Sequence, residues 1–220
     1  EVFAHPAYVG TFTKPGERTM CAVLADDRGT NVFFPFILRP LRNEPWVMAE
    51  FDGLCDLTTP YGYGGAYKVL GADSQIEVFW DLFDAWCERQ RVVTHFVRLP
   101  VFNDQVIPYR GEVIDKGPNV VRRLDLGEDA LWRDYAQKVR KNVSRARRSG
   151  LEVELDLEGR MLDEFLDIYT DTMDRRQAGC GYYFSRHFFE NLVAELKGSF
   201  AFFHVLSAGI VVSTELVLVS

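Results

Sequence analysis

Residues 132–150 read WRDYAQKVRKNVSRARRSG and concentrate positive charge in a chain that is otherwise acidic. Trp132, Tyr135, Ala136, Val139, Val143 and Ala146 recur at the 3.6-residue period, which predicts one amphipathic helix with this stripe turned inward. Lys138, Lys141, Arg145 and Arg148 line one flank. With Arg140 and Arg147 they make six cations, and no acid lies between Asp134 and Glu152. Like charges at i,i+4 repel by roughly a few tenths of a kcal/mol per pair, so the run costs helix stability unless an anion visits. An anionic partner is the first expectation, and a solvated face screened by salt is the alternative.

Downstream, Gly150 is placed to end this helix as a left-handed cap, and a short strand follows over Leu151–Leu157. Leu162, Phe165, Leu166, Tyr169 and Met173 then recur at helical spacing. Ser185 reads as the N-cap of a further helix whose stripe is Phe188, Phe189, Leu192 and Leu196 and whose end is Gly198. Two apolar strands, Phe200–Leu206 and Ile210–Val219, are joined by Ser207, Ala208 and Gly209. Ser220 then falls inside what reads as an ongoing sheet. An uncovered apolar strand is an aggregation hazard, so the expectation is a fragment of a longer protein.

Upstream, a hairpin is predicted over Met20–Ala25 and Val32–Leu38, turned by DDRG at Asp26–Gly29, with Pro35 marking its second strand as an edge. Phe51–Thr59 leads into Pro60, Tyr61, Gly62, Tyr63, Gly64 and Gly65. Ser74 and Glu77 form a capping box for a helix to about Gln90, with Ile76, Phe79, Phe83 and Trp86 inward. A strand over Val92–Leu99 and a β-rich stretch through Leu124 complete this half. The whole reads as an α/β chain of the mixed α+β kind, in two units covering residues 1–125 and 126–220.

Bulk composition narrows the function classes. The 220 residues are 47% hydrophobic, enough for a sizeable core. The formal net charge is −7, so outside the six helix cations the chain carries −13, which argues against DNA or other nucleic acid binding over the whole surface. Cys21, Cys55, Cys87 and Cys180 are widely spaced and without a His pair, so neither a disulfide framework nor a metal site is indicated. No run approaches the roughly 20 apolar residues of a membrane span. A reducing cytoplasm fits these features.

The order TPYGYGG, THFVRL, WRDYAQKVRKNVSRARRSGLEVEL, LDIYTDTMDRR, GYYFSRHFFENL and a terminal β-hairpin resembles the Fem-type peptidyltransferases and the related BioF-like or CelD-like acetyltransferases of the GNAT superfamily. The resemblance implies GNAT-like units in tandem, the second incomplete at its C-terminus. It further implies transfer of an acyl or aminoacyl group to an amine acceptor, with acyl-CoA or aminoacyl-tRNA as donor. In Fem-type relatives the acceptor is a cell-wall precursor carrying a diphosphate. The implied acceptor is therefore a phosphorylated small molecule or a lipid-linked precursor of peptidoglycan or exopolysaccharide, and the implied location the cytoplasm, including the inner face of the membrane.

The same resemblance points to residues. Tyr61, Tyr63, Gly64 and Gly65 stand where a pyrophosphate or peptide chain would be held, although the R-x-x-G-x-G/A pattern of acetyl-CoA binding is absent there; a plain glycine turn is the alternative. Arg98, read on the strand after the first helix, suits bidentate contact with a substrate phosphate, and a surface arginine is the other reading. Lys141 and Arg145 match a basic helix bordering the acceptor cleft or the tRNA path. Tyr182 and Tyr183, with Arg175, form a wall for a sugar or peptide, or else a core plug.

The implied chemistry is direct attack of a neutral amine on a thioester or aminoacyl ester, with the protein positioning both partners and polarising the carbonyl. Glu215 and Asp104 are the candidate bases. His5, His95, His187 and His204 are scattered and read as packing or surface residues, with no Ser-His-Asp or Cys-His unit among them. Two rival classes remain. One is a noncatalytic GNAT-like module that binds RNA or a polysaccharide precursor, and the other a structural protein that dimerises through its apolar edge.

Overall fold

The structure, a computed structural model, describes every residue except Arg28, Trp46 and 70–74, and within its helices and strands leaves aside the side chains of Thr30, Ala49 and Asn103. The chain divides into two units, Glu1–Gly117 and Pro118–Ser220.

In the first unit, α1 (Pro6–Thr11) precedes the hairpin β1 (Arg18–Asp26) and β2 (Gly29–Pro40). Then come β3 (Cys55–Thr58), the two-residue β4 (Tyr67–Lys68), α2 (Ile76–Arg89) and β5 (Val92–Phe96). The sheet runs β1-β2-β3-β5 with β4 also on β2. β1, β3 and β4 pair antiparallel to β2, whereas β3 and β5 are parallel, with α2 within the connection that parallel pairing demands. Alternation along β2 decides its two faces. Val32, Phe34, Phe36 and Leu38 are buried in one cluster with Phe79, Trp80, Phe83 and Cys87 of α2, and Ile76 and Trp86 pack at its margin. Each such aromatic contributes about 1.5–3 kcal/mol by leaving water. α1 packs on β1 and β2.

Three expectations for this unit change. β2 is not an edge strand, because it has partners on both sides. Pro35 is tolerated since β4 pairs at Val32 and Phe33 and β3 begins pairing only at Ile37, so the second side of β2 carries no ladder where the proline sits. β5 ends at Phe96, which leaves Arg98 beyond the strand. The stretch toward Leu124 forms no strand: after a short helical turn at Asn103–Gln105 and an isolated bridge from Val106 to Tyr67, it is held by side chains. Trp80 Nε1 donates to Pro108 O at 2.9 Å, and Arg110 reaches Asp81 (2.9 Å), Asp84 (3.0 Å) and Glu77 (2.6 Å) on α2. The predicted cap at Ser74 lies outside the described residues, and Gln75 stands at the N-cap of α2.

The second unit contains α3 (Glu128–Asp134), α4 (Gln137–Arg148), β6 (Glu152–Asp156), α5 (Leu162–Arg176), α6 (Arg186–Glu195), β7 (Phe200–Ser207) and β8 (Ile210–Leu218). Its sheet is antiparallel in the order β6-β7-β8. The predicted single basic helix is two. The chain turns extended at Tyr135 and Ala136, and Arg140 donates to the carbonyls of Arg133 (2.7 Å) and Tyr135 (2.6 Å), satisfying groups that the end of α3 leaves open. The expected inward stripe is also shallower, since no residue of α3 or α4 is fully buried.

Elsewhere the periodicity holds. Phe165 and Leu166 of α5 and Phe189 and Leu192 of α6 are buried, with Phe165 edge-on to Phe202 of β7 at 5.0 Å. Ser185 caps α6 by accepting from Phe188 N at 3.2 Å, and Gly150, at φ 68°, closes α4. Ala208 and Gly209 both take positive φ (50° and 80°), the geometry of a tight two-residue hairpin turn. With two sheets and six α-helices among the described residues, the chain is mixed α+β.

Candidate functional site

The parallel pair β3 and β5 end side by side, and the chain leaving each meets the other. Thr59 N donates to Phe96 O (3.1 Å), Arg98 N donates to Thr59 Oγ1 (3.0 Å), and Gly64 N donates to Arg98 O (2.6 Å). Arg98 Nη1 also donates to Thr59 O at 3.3 Å while the guanidinium lies over the Phe96 ring, 4.7 Å from its centre. Arg98 and the Tyr61–Gly65 turn are thus one local structure at the carboxyl ends of two parallel strands, the position where open α/β sheets present ligand-binding loops.

The glycines of that turn are required by the protein's own packing. A Cβ at Gly64 would lie 2.6 Å from the Thr59 side chain, and one at Gly62, whose φ is 97°, 2.5 Å from Phe3. At Gly65 the nearest neighbour is Val106, at 3.2 Å. Tyr63 stacks edge-on with Phe3 at 5.2 Å, and Tyr61 remains 50% exposed. β4 stands between this turn and α2, so the turn does not lead directly into a helix. Asp104 lies exposed in the Asn103–Gln105 turn of the same unit.

In the second unit, Lys138, Lys141, Arg145 and Arg148 are exposed on α4 and have no ion pair among the described residues. Arg140 is engaged at α3, and Arg147 lies over the Trp132 ring at 5.7 Å. Arg145, Arg147 and Arg148 occupy the last turn, where cations favour the helix dipole, which offsets part of their mutual repulsion.

Between α5 and α6, Tyr169 organises the aromatic connection. Its hydroxyl donates to Tyr182 O and accepts from Phe184 N at 3.1 Å. Tyr183 Oη donates to Asp174 Oδ1 at 2.9 Å, and that carboxylate holds the phenol above its ordinary range. Tyr182 and Tyr183 are exposed, so they do not plug the core. Arg175 lies in the last turn of α5. Glu215 is exposed on β8 opposite Phe203.

The contacts of two histidines escaped the sequence reading because each joins side chains on different elements. Cys87 Sγ lies 3.3 Å from His95 Nε2, although no Cys-His unit was expected. Burial, with Asp84 adding, pushes the thiol up to about 12, and burial holds His95 below its ordinary value, so the pair is neutral and suits packing better than nucleophilic attack. His204 is fully buried, with Thr214 Oγ1 at 3.1 Å from Nδ1 and Asp156 Oδ2 at 3.7 Å from Nε2. Asp156 itself accepts from the backbone N–H of Glu158 (2.9 Å), Gly159 (2.9 Å) and Met161 (3.1 Å), holding the turn that starts α5. Among the described residues no group of three His, Cys, Asp or Glu is placed to hold a metal ion, and no helix is long and apolar enough to cross a membrane.

Residues 133–220, which include α4, the Tyr182–Tyr183 connection and the terminal hairpin, match the family described as acetyltransferase (GNAT) domain. The architecture is similar to the crystal structure of FemX, with a TM-score of 0.64 at 14% sequence identity over 93% of this chain and 52% of that one. The fold is thus similar to that of FemX, and the GNAT acetyltransferase match lies in the second unit. The chain spans about half the length of the FemX structure. Comparison with curated protein sequences gives no match.

Proposed function

We propose that the chain transfers an acyl or aminoacyl group to the amine of a phosphorylated acceptor, a peptidoglycan or exopolysaccharide precursor. The observation that carries this reading is the match of residues 133–220 to an acetyltransferase domain whose α4 presents Lys138, Lys141, Arg145 and Arg148 exposed and without an ion pair among the described residues. Acyl-CoA and aminoacyl-tRNA both carry phosphates, and α4 with Lys141 and Arg145 is the surface that attracts either. The two units, Glu1–Gly117 and Pro118–Ser220, act as tandem GNAT-like units. The first supplies an acceptor subsite from Arg98, Tyr61, Tyr63, Gly64 and Gly65, and a lipid-linked acceptor would bring the protein to the inner face of the membrane.

In this reading Arg175, Tyr182 and Tyr183 border the peptide or sugar portion of a substrate. The free amine attacks the donor carbonyl; the C–N bond forms as the bond to sulfur or to the tRNA ribose oxygen breaks, and the amine proton leaves to a base, for which Glu215 and Asp104 are the candidates. The test compares a labelled acyl group on coenzyme A with the same label on aminoacyl-tRNA, each offered with a nucleotide-linked or lipid-linked amine. Label on the acceptor from one donor, lost in the Lys141→Ala/Arg145→Ala variant, supports the reading. Binding of both donors without transfer favours the noncatalytic module.

A further inference from the structure

The N-terminal helix of the first unit builds the turn that faces Arg98. Tyr8 of α1 is 3% exposed, yet its hydroxyl donates to Tyr61 O at 2.8 Å across 53 residues of sequence. Phe3 lies edge-on to both Tyr8 (5.3 Å) and Tyr63 (5.2 Å), and Phe12 closes on Tyr8 at 5.1 Å. The turn is therefore gripped from two sides: by Tyr8 and Phe3 at residues 61–63, and by Thr59 and Arg98 at residue 64 and its neighbours.

We infer that Tyr8 is a positioning residue for an anion subsite at the carboxyl ends of β3 and β5, where Arg98 and the Tyr61–Gly65 turn together receive a phosphate or diphosphate group. The inference rests on the acceptor subsite proposed above and adds the element that sets its shape. The phenol suits this task for two reasons. Burial keeps its proton on throughout the physiological range, so it always donates. Its acceptor is a backbone carbonyl, so the bond fixes the path of the chain rather than the rotamer of one side chain. Were the bond lost, the turn would keep its aromatic packing but lose this tether at Tyr61, and Arg98, bonded to Gly64 through its own carbonyl, would have a less rigid partner.

Inorganic pyrophosphate is the probe, titrated into the 220-residue chain by calorimetry, with thermal melting run in parallel. Tyr8→Phe removes one hydroxyl and leaves every ring contact, and it is expected to weaken pyrophosphate about fivefold, the equivalent of one net hydrogen bond. Arg98→Ala is expected to weaken it more than tenfold, and Arg98→Lys to recover part of that loss. If Arg98→Ala weakens binding while Tyr8→Phe leaves it unchanged, whatever its melting point, Tyr8 only packs and the inference is overturned while the subsite stands. If the wild-type chain does not bind, or if both variants bind as the wild type does, the subsite itself is refuted and the inference with it.

Discussion

Arg98 N donates to the Thr59 hydroxyl at 3.0 Å, so a side chain at the end of one parallel strand satisfies the backbone leaving the next. Thr59 is 1% exposed, and a valine of nearly the same shape would leave that amide without its partner. Thr59→Val is expected to destabilise the chain by about 1–3 kcal/mol in urea unfolding, whereas Thr59→Ser keeps the oxygen and most of the stability. Equal losses in the two variants would show that the methyl, not the hydroxyl, matters.

Asp156 predicts an acid limb. Burial works against its charge, but the backbone N–H groups of Glu158, Met161 and Gly159 outweigh that and hold the carboxyl below the ordinary Asp value. A depressed folded value means the contribution is complete above the unfolded pKa of about 3.9 and drains away as pH falls through the lower, folded value. Stability measured from pH 6 down to pH 2 should therefore drop more steeply in wild type than in Asp156→Ala. The variant should already be weakened at pH 6, by at least about 2 kcal/mol, because buried N–H groups lose their acceptor.

Arg140 is read here as a structural cation rather than a substrate contact. Arg140→Ala should lower stability by about 0.5–1.5 kcal/mol by releasing the carbonyls of Arg133 and Tyr135. It should change the salt dependence of polyanion binding less than Lys141→Ala does. Melting curves and binding of unacylated tRNA at two salt concentrations check both halves of that statement.

Periodicity made most of the second unit legible. Leu162, Phe165, Leu166 and Tyr169 fall on one helix because apolar residues at i, i+3 and i+4 must share a face, and Ser185 caps because its oxygen meets an open amide. What periodicity could not show was satisfaction of backbone groups by distant side chains. The stripe from Trp132 to Ala146 is continuous in the sequence, yet the helix breaks at Tyr135 where Arg140 bonds the carbonyls. Pro35 read as an edge residue because the gap between β4 and β3 exists only once three strands are assembled. The site divided in the same way. Arg98 and the Tyr61–Gly65 turn were recognised separately, but Thr59 and Tyr8, which join them, carry no local signal: one is a threonine before a proline, the other a tyrosine in a six-residue helix.

The salt dependence of donor binding separates a working cation face from a solvated one. Each phosphate that α4 neutralises should contribute about 0.7–0.9 to the slope of log K against log salt. Lys141→Ala/Arg145→Ala should then lower that slope by roughly 1.5 for the true donor, and leave it unchanged for a donor that binds elsewhere.

The most direct measurement is acyl transfer itself: the protein, a labelled acyl-CoA or aminoacyl-tRNA, and a diphosphate-bearing amine, followed by the label on the acceptor. Transfer is expected from one donor, reduced at least tenfold by Arg98→Ala and again by Lys141→Ala/Arg145→Ala. Transfer unaffected by either variant, or none from both donors with the acceptor bound, would contradict the proposed function.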